Sequence, residues 1–298
     1  MKTALLDQNV ILRGRGFFGR SGTLLFSPNP DSHEWTLCVT DDDRRPIRPA
    51  MAGTESRRMV LRAEGVVLNV PEHILAARFA GIIGLSIGSA KPWPPYHGRA
   101  LEVLSALNQA RKINLFSNFP TYTVSEAVFF EYEKRRQGNR AFTSIAPARP
   151  LPESATEGNR MKYDERLTLK IVCNYPGLGE WERIYTLPDD AVLAKICSAH
   201  APGWPPWLYY PSKMCSYVFW PHHRHITWIQ EHSLHEAREL FALHRAQDLL
   251  GALALLCRDG TFAGTVCSHY SGHKADVIAV KRADKHLVPL AHMQPARR

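Results

Sequence analysis

Three short stretches carry side chains able to do chemistry together. Glu72 and His73 stand side by side, His244 and Asp248 stand four apart in His244-Arg245-Ala246-Gln247-Asp248, and His273 closes Ser271-Gly272-His273. Two imidazoles and one carboxylate supply three N/O ligands and leave a fourth position for water, the pattern of a catalytic zinc site rather than a closed structural one. Glu72, next to His73, is placed to take a proton from that water. Each stretch also has an ordinary reading. His and Asp four apart on a helix commonly form a solvated side-chain pair, an acidic residue favours a helix N-terminus, and Ser-Gly-His alone is a turn.

The elements that must position these residues follow from spacing. Pro71 opens an apolar run, 72–85, in which Ile74, Leu75, Phe79, Ile82 and Ile83 have helical spacing, with proline at the first helical position. Residues 234–256 read as a long helix, which puts His244 and Asp248 on one face. Residues 261–267 read as a strand that runs on to Ser271-Gly272-His273. Further strands are expected over 23–27, 35–40, 59–68, 122–132 and 166–173, and a helix over 101–107. Residues 14–22 form a glycine-punctuated turn, 146–160 a polar, Pro-rich loop, and 202–221 an irregular aromatic segment. With 108–118 as the connection, each half has strands followed by buried helices. This is an α+β pattern in two domains, 1–116 and 117–298.

Composition bounds the function classes. The 298 residues are 45% hydrophobic and 22% charged, ordinary globular usage, and length alone favours two domains or one large one. The longest apolar stretch, 249–257, is half the roughly 18 residues a membrane span needs, so no transmembrane segment is expected. The N-terminal residues lack the apolar core of a signal peptide, which points to the cytoplasm. Cysteines at 38, 173, 197, 215, 257 and 267 are scattered without a CxxC pair and read as reduced core thiols. The +9 charge permits nucleic-acid binding. However, the basic residues are dispersed, their tightest groups are Lys134-Arg135-Arg136 and Arg297-Arg298, and no recognition motif accompanies them, so no nucleic-acid partner is expected. The run Trp220-Pro221-His222-His223-Arg224-His225 is conspicuous, yet neighbouring imidazoles in an extended chain point to alternate sides and do not converge on one metal. Trp204, Trp207, Tyr209 and Tyr210 read more as packing residues than as a ligand platform, and His269, near His273, either points into the site or is structural.

The order and context of the three stretches resemble the LpxC family, zinc-dependent UDP-3-O-acyl-N-acetylglucosamine deacetylases. That family carries E-H-L-L at the start of a helix, H-K-x-x-D on a later helix, and S-G-H after a strand. Here they are matched by Glu72-His73-Ile74-Leu75, His244 to Asp248, and Ser271-Gly272-His273. Weaker echoes are the glycine-rich 14–22 and Pro95-Tyr96-His97-Gly98-Arg99-Ala100. The resemblance implies two similar β/α layered domains packed together with the active site at their interface. It implies that His73, His244 and Asp248 bind Zn2+, a ligand set that suits Fe2+ as well. Glu72 would be the general base, and His273 the protonated group that stabilises the oxyanion and helps the amine leave. Arg245 replaces a lysine of the family and keeps a positive charge for a substrate phosphate or carboxylate.

The substrate-facing positions depart from the family. A second Asp that holds the acid histidine is replaced by Ala252, and His200 stands near the place of a carbonyl-polarising Thr. The aromatic segment 204–220 replaces a small polar stretch, and Gly19 and Arg20 fall where the family has Leu-His. The expectation is therefore an N-deacetylase or deacylase for a small, anionic N-acylated amino sugar or related metabolite other than the standard lipid A precursor. The alternative is an LpxC-like pseudoenzyme that binds a ligand or partner.

Overall fold

The computed structural model describes residues 3–15, 21–40, 43–55, 58–89, 100–115, 119–133, 140–152, 162–175, 177–202, 226–227 and 231–293. Alternation sets the first layer. Along Arg140–Ala146 and Gly264–His269 every second residue is buried, the period of a sheet packed on one face and open on the other. These strands are antiparallel neighbours in a five-stranded sheet ordered Val128–Glu133, Arg140–Ala146, Gly264–His269, Leu167–Tyr175, Gly179–Leu187. The strand of this sheet that comes latest in the chain thus lies between two hairpins, and it runs parallel to Leu167–Tyr175. The N-terminal residues repeat the plan in a second five-stranded sheet ordered Val10–Arg15, Ser21–Pro28, Leu85–Ser89, Trp35–Cys38, Arg44–Pro46. Again the latest strand separates two hairpins and is parallel to one of them.

The helices α1 (Glu72–Leu75), α2 (Ala100–Gln109), α3 (Asp190–Cys197), α4 (Leu234–Leu253) and α5 (His273–Ala283) complete an α+β fold. Helices α4 and α5 cover the inner face of the sheet that runs from Val128–Glu133 to Gly179–Leu187, and α1 packs on α4. Helix α5 also reaches the hairpin Ala52–Glu55/Arg58–Ala63. One hydrophobic cluster runs through these layers from Leu6 to Ala283. No helix among the described residues is long and apolar enough to cross a membrane.

Several elements differ from their expected form. The expected helix over 72–85 is one α-turn, a 3-10 segment Ala76–Ala80, and then the strand Leu85–Ser89. Every residue from 72 to 87 is buried, so no polar face exists to favour a long helix. Gly81, at φ 79°, ends the 3-10 turn, and the carbonyl of Ile82 accepts from Trp35 Nε1 and Arg78 Nη1 instead of a helical N–H. The stretch 59–68 is a hairpin, because Glu64 and Gly65 take positive φ and turn the chain. The stretch 122–132 holds two strands, Thr121–Val124 and Val128–Glu133. The connection 108–118 contains the strand Arg111–Leu115, which returns to pair with Thr3–Leu6. Residues 116–118 at the expected domain boundary lie outside the described residues. So do 16–20, 90–99, 134–136, 153–161 and the aromatic and histidine-rich 203–225.

Candidate metal centre

Helix α1 follows strand Val66–Asn69 through Val70 and Pro71. Val70 has φ 52°, a costly conformation for a β-branched residue. It is held there because its N–H donates to Met59 O and its carbonyl accepts from His73 N. The turn that follows buries Glu72 and His73. Helix α4 starts on a capping box, in which Ser233 Oγ accepts from Glu236 N and the Glu236 carboxylate accepts from Ser233 N. Three turns on, His244 and Asp248 share one face. Helix α1 lies against that part of α4 because residue 251 has no side chain. A Cβ there would come within 2.3 Å of Glu72 Cα and Glu72 O. The third segment follows Tyr270, another non-glycine residue at positive φ (50°), and begins α5 at His273 with Gly272 as its N-cap.

The three segments converge. His73 Nε2 lies 3.6 Å from Asp248 Oδ1, and His244 Nε2 lies 3.5 Å from Asp248 Oδ2. The donor atoms of His73, His244 and Asp248 all fall within 4.8 Å of one another. Those two separations are long for hydrogen bonds and close to the roughly 3.4 Å edge of a tetrahedron whose ligand bonds are about 2.1 Å. This buried group could hold a metal ion. Glu72, Asp248 and His273 form a second group that shares Asp248. His273 Nδ1 is 3.6 Å from Glu72 Oε1, and its Nε2 is 3.7 Å from Asp248 Oδ2. Glu72 is 1% exposed, and neither of its carboxylate oxygens accepts a hydrogen bond from another residue. An interior carboxylate left so is costly unless a cation or bound water answers it.

Environment drives these groups apart in proton affinity. Burial pushes the Asp248 carboxyl up, but the imidazoles of His244, His273 and His73 outweigh it and hold Asp248 well below the usual carboxylate range. Burial pushes His244 down to about 4 against the pull of Asp248, so its imidazole is neutral and able to ligate. Burial raises the Glu72 carboxyl, with His273 and His73 opposing. Burial alone would lower His273, yet the carboxylates of Asp248 and Glu72 raise it. The surroundings thus set Asp248 and His244 apart from Glu72 and His273 in proton affinity.

No family model and no curated protein matches the chain.

Five of the seven candidate residues meet here: His73, His244 and Asp248 as one group, with Glu72 and His273 adjoining. The other two lie differently. The charge of Arg245, expected to face a substrate anion, is matched inside the fold. Its Nη2 pairs with Asp276 Oδ1 and donates to Ser271 Oγ, and its Nε donates to Ser268 Oγ. The physical reason is that Asp276 stands one turn along α5 from His273, on the side that α4 packs against. His200 is half-buried between α3 and the short strand Ala201–Pro202 and belongs to neither group. Ala252 is buried one turn past Asp248, and it offers His273 no carboxylate. Sequence reasoning missed Gly251, Thr143, Ser268 and Asp276. A glycine inside an otherwise helical run, three residues after a candidate ligand, was the available signal for the first. An acidic residue three after His273 was the signal for the last.

Proposed function

We propose that the chain is a metal-dependent amide hydrolase, an N-deacetylase or deacylase of the LpxC type. Its substrate on this reading is a small, anionic, N-acylated amino sugar or related metabolite other than the lipid A precursor. The observation that carries the reading is the convergence of two histidines and one aspartate from α1 and α4, with Glu72 and His273 flanking the shared Asp248. The sheet plan repeated in the two halves of the chain supports the two-layered-domain resemblance. His73, His244 and Asp248 would hold zinc or iron, which when bound would supply Lewis acidity toward an acyl oxygen and acidify water.

The side chains divide the proton work. Glu72, with its raised proton affinity, takes the proton from water as the water oxygen bonds to the acyl carbon. His273, held charged by two carboxylates, gives a proton to the amine nitrogen as the carbon–nitrogen bond breaks. The products are a carboxylate and a free amine. Burial of Glu72, His73 and Asp248 strengthens these interactions by excluding water.

Purified protein is expected to hold about one zinc per chain and to lose it in His244→Ala. It is expected to release acetate or another acid from a panel of N-acylated amino sugars, and Glu72→Gln is expected to abolish release while keeping the metal. Absence of metal from the wild-type chain, or its persistence in His244→Ala, would sink the reading. Metal retained without turnover of any N-acyl compound favours the pseudoenzyme, to which Ala252 and the internal pairing of Arg245 already lend weight.

A further inference from the structure

The amide-hydrolase reading leaves unexplained the polar cluster behind His273. Arg245 follows the ligand His244 on α4, and Asp276 stands one turn past His273 on α5. Their side chains are only 6% and 1% exposed and are joined as an ion pair. Three hydroxyls gather round them. Arg245 Nε donates to Ser268 Oγ at 3.0 Å, and Nη2 donates to Ser271 Oγ at 2.9 Å. Thr143 Oγ1 donates to Asp276 Oδ1 at 2.9 Å and lies 2.9 Å from Ser271 Oγ. The hydroxyls of Ser268 and Ser271 are 2.8 Å apart. The cluster therefore ties four pieces together: the ligand helix α4, strand Arg140–Ala146, the end of strand Gly264–His269 with its Ser271 turn, and helix α5.

A buried ion pair adds little net stability, because desolvating both charges offsets their attraction, while the hydrogen bonds gathered on it fix geometry. Here they run through Arg245 Nε and Nη2 and Asp276 Oδ1, with Arg245 Nη1 and Asp276 Oδ2 lacking a partner among the described residues. What these bonds fix is the spacing between α4, which carries His244 and Asp248, and the first turn of α5, which carries His273. A substrate anion reaching Arg245 would have to displace a carboxylate already paired with it in the interior. Helix α4 also has no carboxylate in the turn after Asp248, where residue 252 is alanine, and Asp276 stands one turn past His273 on α5 itself.

We infer that Arg245 and Asp276, with Thr143, Ser268 and Ser271, form a positioning clamp that fixes the His273 ring against Glu72 and Asp248. Arg245 on this account makes no contact with substrate. The kinetic part of the inference rests on the amide-hydrolase reading. The geometric part does not.

The test uses the zinc-loaded full chain with 15N-labelled histidine, the His273 ring signals being assigned by their loss in His273→Asn. Asp276→Asn removes the charge while keeping the shape. Arg245→Met/Asp276→Leu replaces the pair with apolar side chains of similar size and guards against misfolding, since such replacements are tolerated or stabilising. Both are expected to keep the wild-type zinc content and to shift or broaden the His273 ring signals. Both are also expected to lower kcat by about 10- to 100-fold at unchanged KM, the size of effect that partners behind a site residue produce. Unmoved His273 signals in a folded, zinc-loaded variant overturn the clamp. So does a raised KM at unchanged kcat in Arg245→Met, which would return Arg245 to the substrate. A wild-type chain that holds no zinc or cleaves no N-acyl compound refutes the hydrolase reading instead, and the same ring signals, recorded without metal, still decide the clamp.

Discussion

Gly251→Ala isolates the contact on which the whole centre depends. The added Cβ would stand 2.3 Å from both the Cα and the carbonyl oxygen of Glu72, and 2.6 Å from its carbonyl carbon. Backbone cannot bend aside as a flexible side-chain end can. The first turn of α1 must therefore withdraw by at least about 1.1 Å before the contact reaches ordinary van der Waals range near 3.4 Å. His73 is on that turn, and a metal ligand displaced so far lies well outside the tolerance of about 0.2 Å for a working site. Zinc affinity is expected to fall by about 100-fold or more, the upper end of what changes behind a ligand cost. Stability should barely follow. Overpacking costs about 1–3 kcal/mol, and alanine recovers about 1 kcal/mol of helix propensity over glycine. Chelator-competition titration with zinc and urea unfolding in the presence of chelator measure the two quantities separately. A Gly251→Ala protein that folds and binds zinc with wild-type affinity would refute the claim that this close approach sets the ligand geometry.

Three further substitutions test the surrounding fold. Ser233→Ala removes the capping box of α4 three turns before the ligands, and it should lower the urea unfolding free energy by about 1 kcal/mol while leaving zinc affinity unchanged. Arg78 is buried and donates to Ile82 O at 3.0 Å and to Arg258 O at 2.6 Å, linking residues from the two halves of the chain. Arg78→Met leaves those carbonyls without that donor and should cost about 2–4 kcal/mol by the same measurement. Tyr122 donates to Asp259 at 2.6 Å, and burial with that carboxylate pushes its phenol up to about 12 from 10.0. The folded chain therefore keeps a proton that the unfolded chain loses in that interval. Stability from this group is present below about pH 10 and is lost as pH rises toward 12. Urea midpoints for the wild type should accordingly fall more between about pH 9 and pH 11 than those for Tyr122→Phe.

Much of this arrangement was legible in the sequence where a period or a local spacing carried it. The pairing of His244 with Asp248 on one face follows from a 20-residue helix, whereas the single strand expected over 261–267 is divided into Thr261–Phe262 and Gly264–His269, which join different sheets. The run 72–85 was misread because uniform burial has no period, so helix and strand look alike in it. The internal pairing of Arg245 was not legible, because a charge beside a candidate ligand invites a substrate, while its partner Asp276 stands 31 residues further on. Thr143, 133 residues from Asp276, could not be connected with it by any local rule. Gly251 acts through Glu72, far away in the chain, and a clash avoided leaves no mark in composition.

The lead-ins to the site carry a cost that explains its layout. Val70 and Tyr270 are both non-glycine residues at positive φ, and each stands two or three residues before a site residue, Glu72 in one case and His273 in the other. Such conformations survive only where surrounding structure over-determines them. Val70 is fixed by backbone bonds to Met59 and His73, and Tyr270 by its N–H donating to Val172 O and its hydroxyl bonding Glu180. Both turns therefore aim a short helix at α4 without relying on the helix's own propensity, which a single four-residue turn such as α1 could not supply. The long, capped α4 is the fixed reference against which the two strained turns are set. Gly251 determines how near the first approaches, and the Arg245–Asp276 pair determines how the second is held. The site residues borrow their order from a core that spans both halves of the chain.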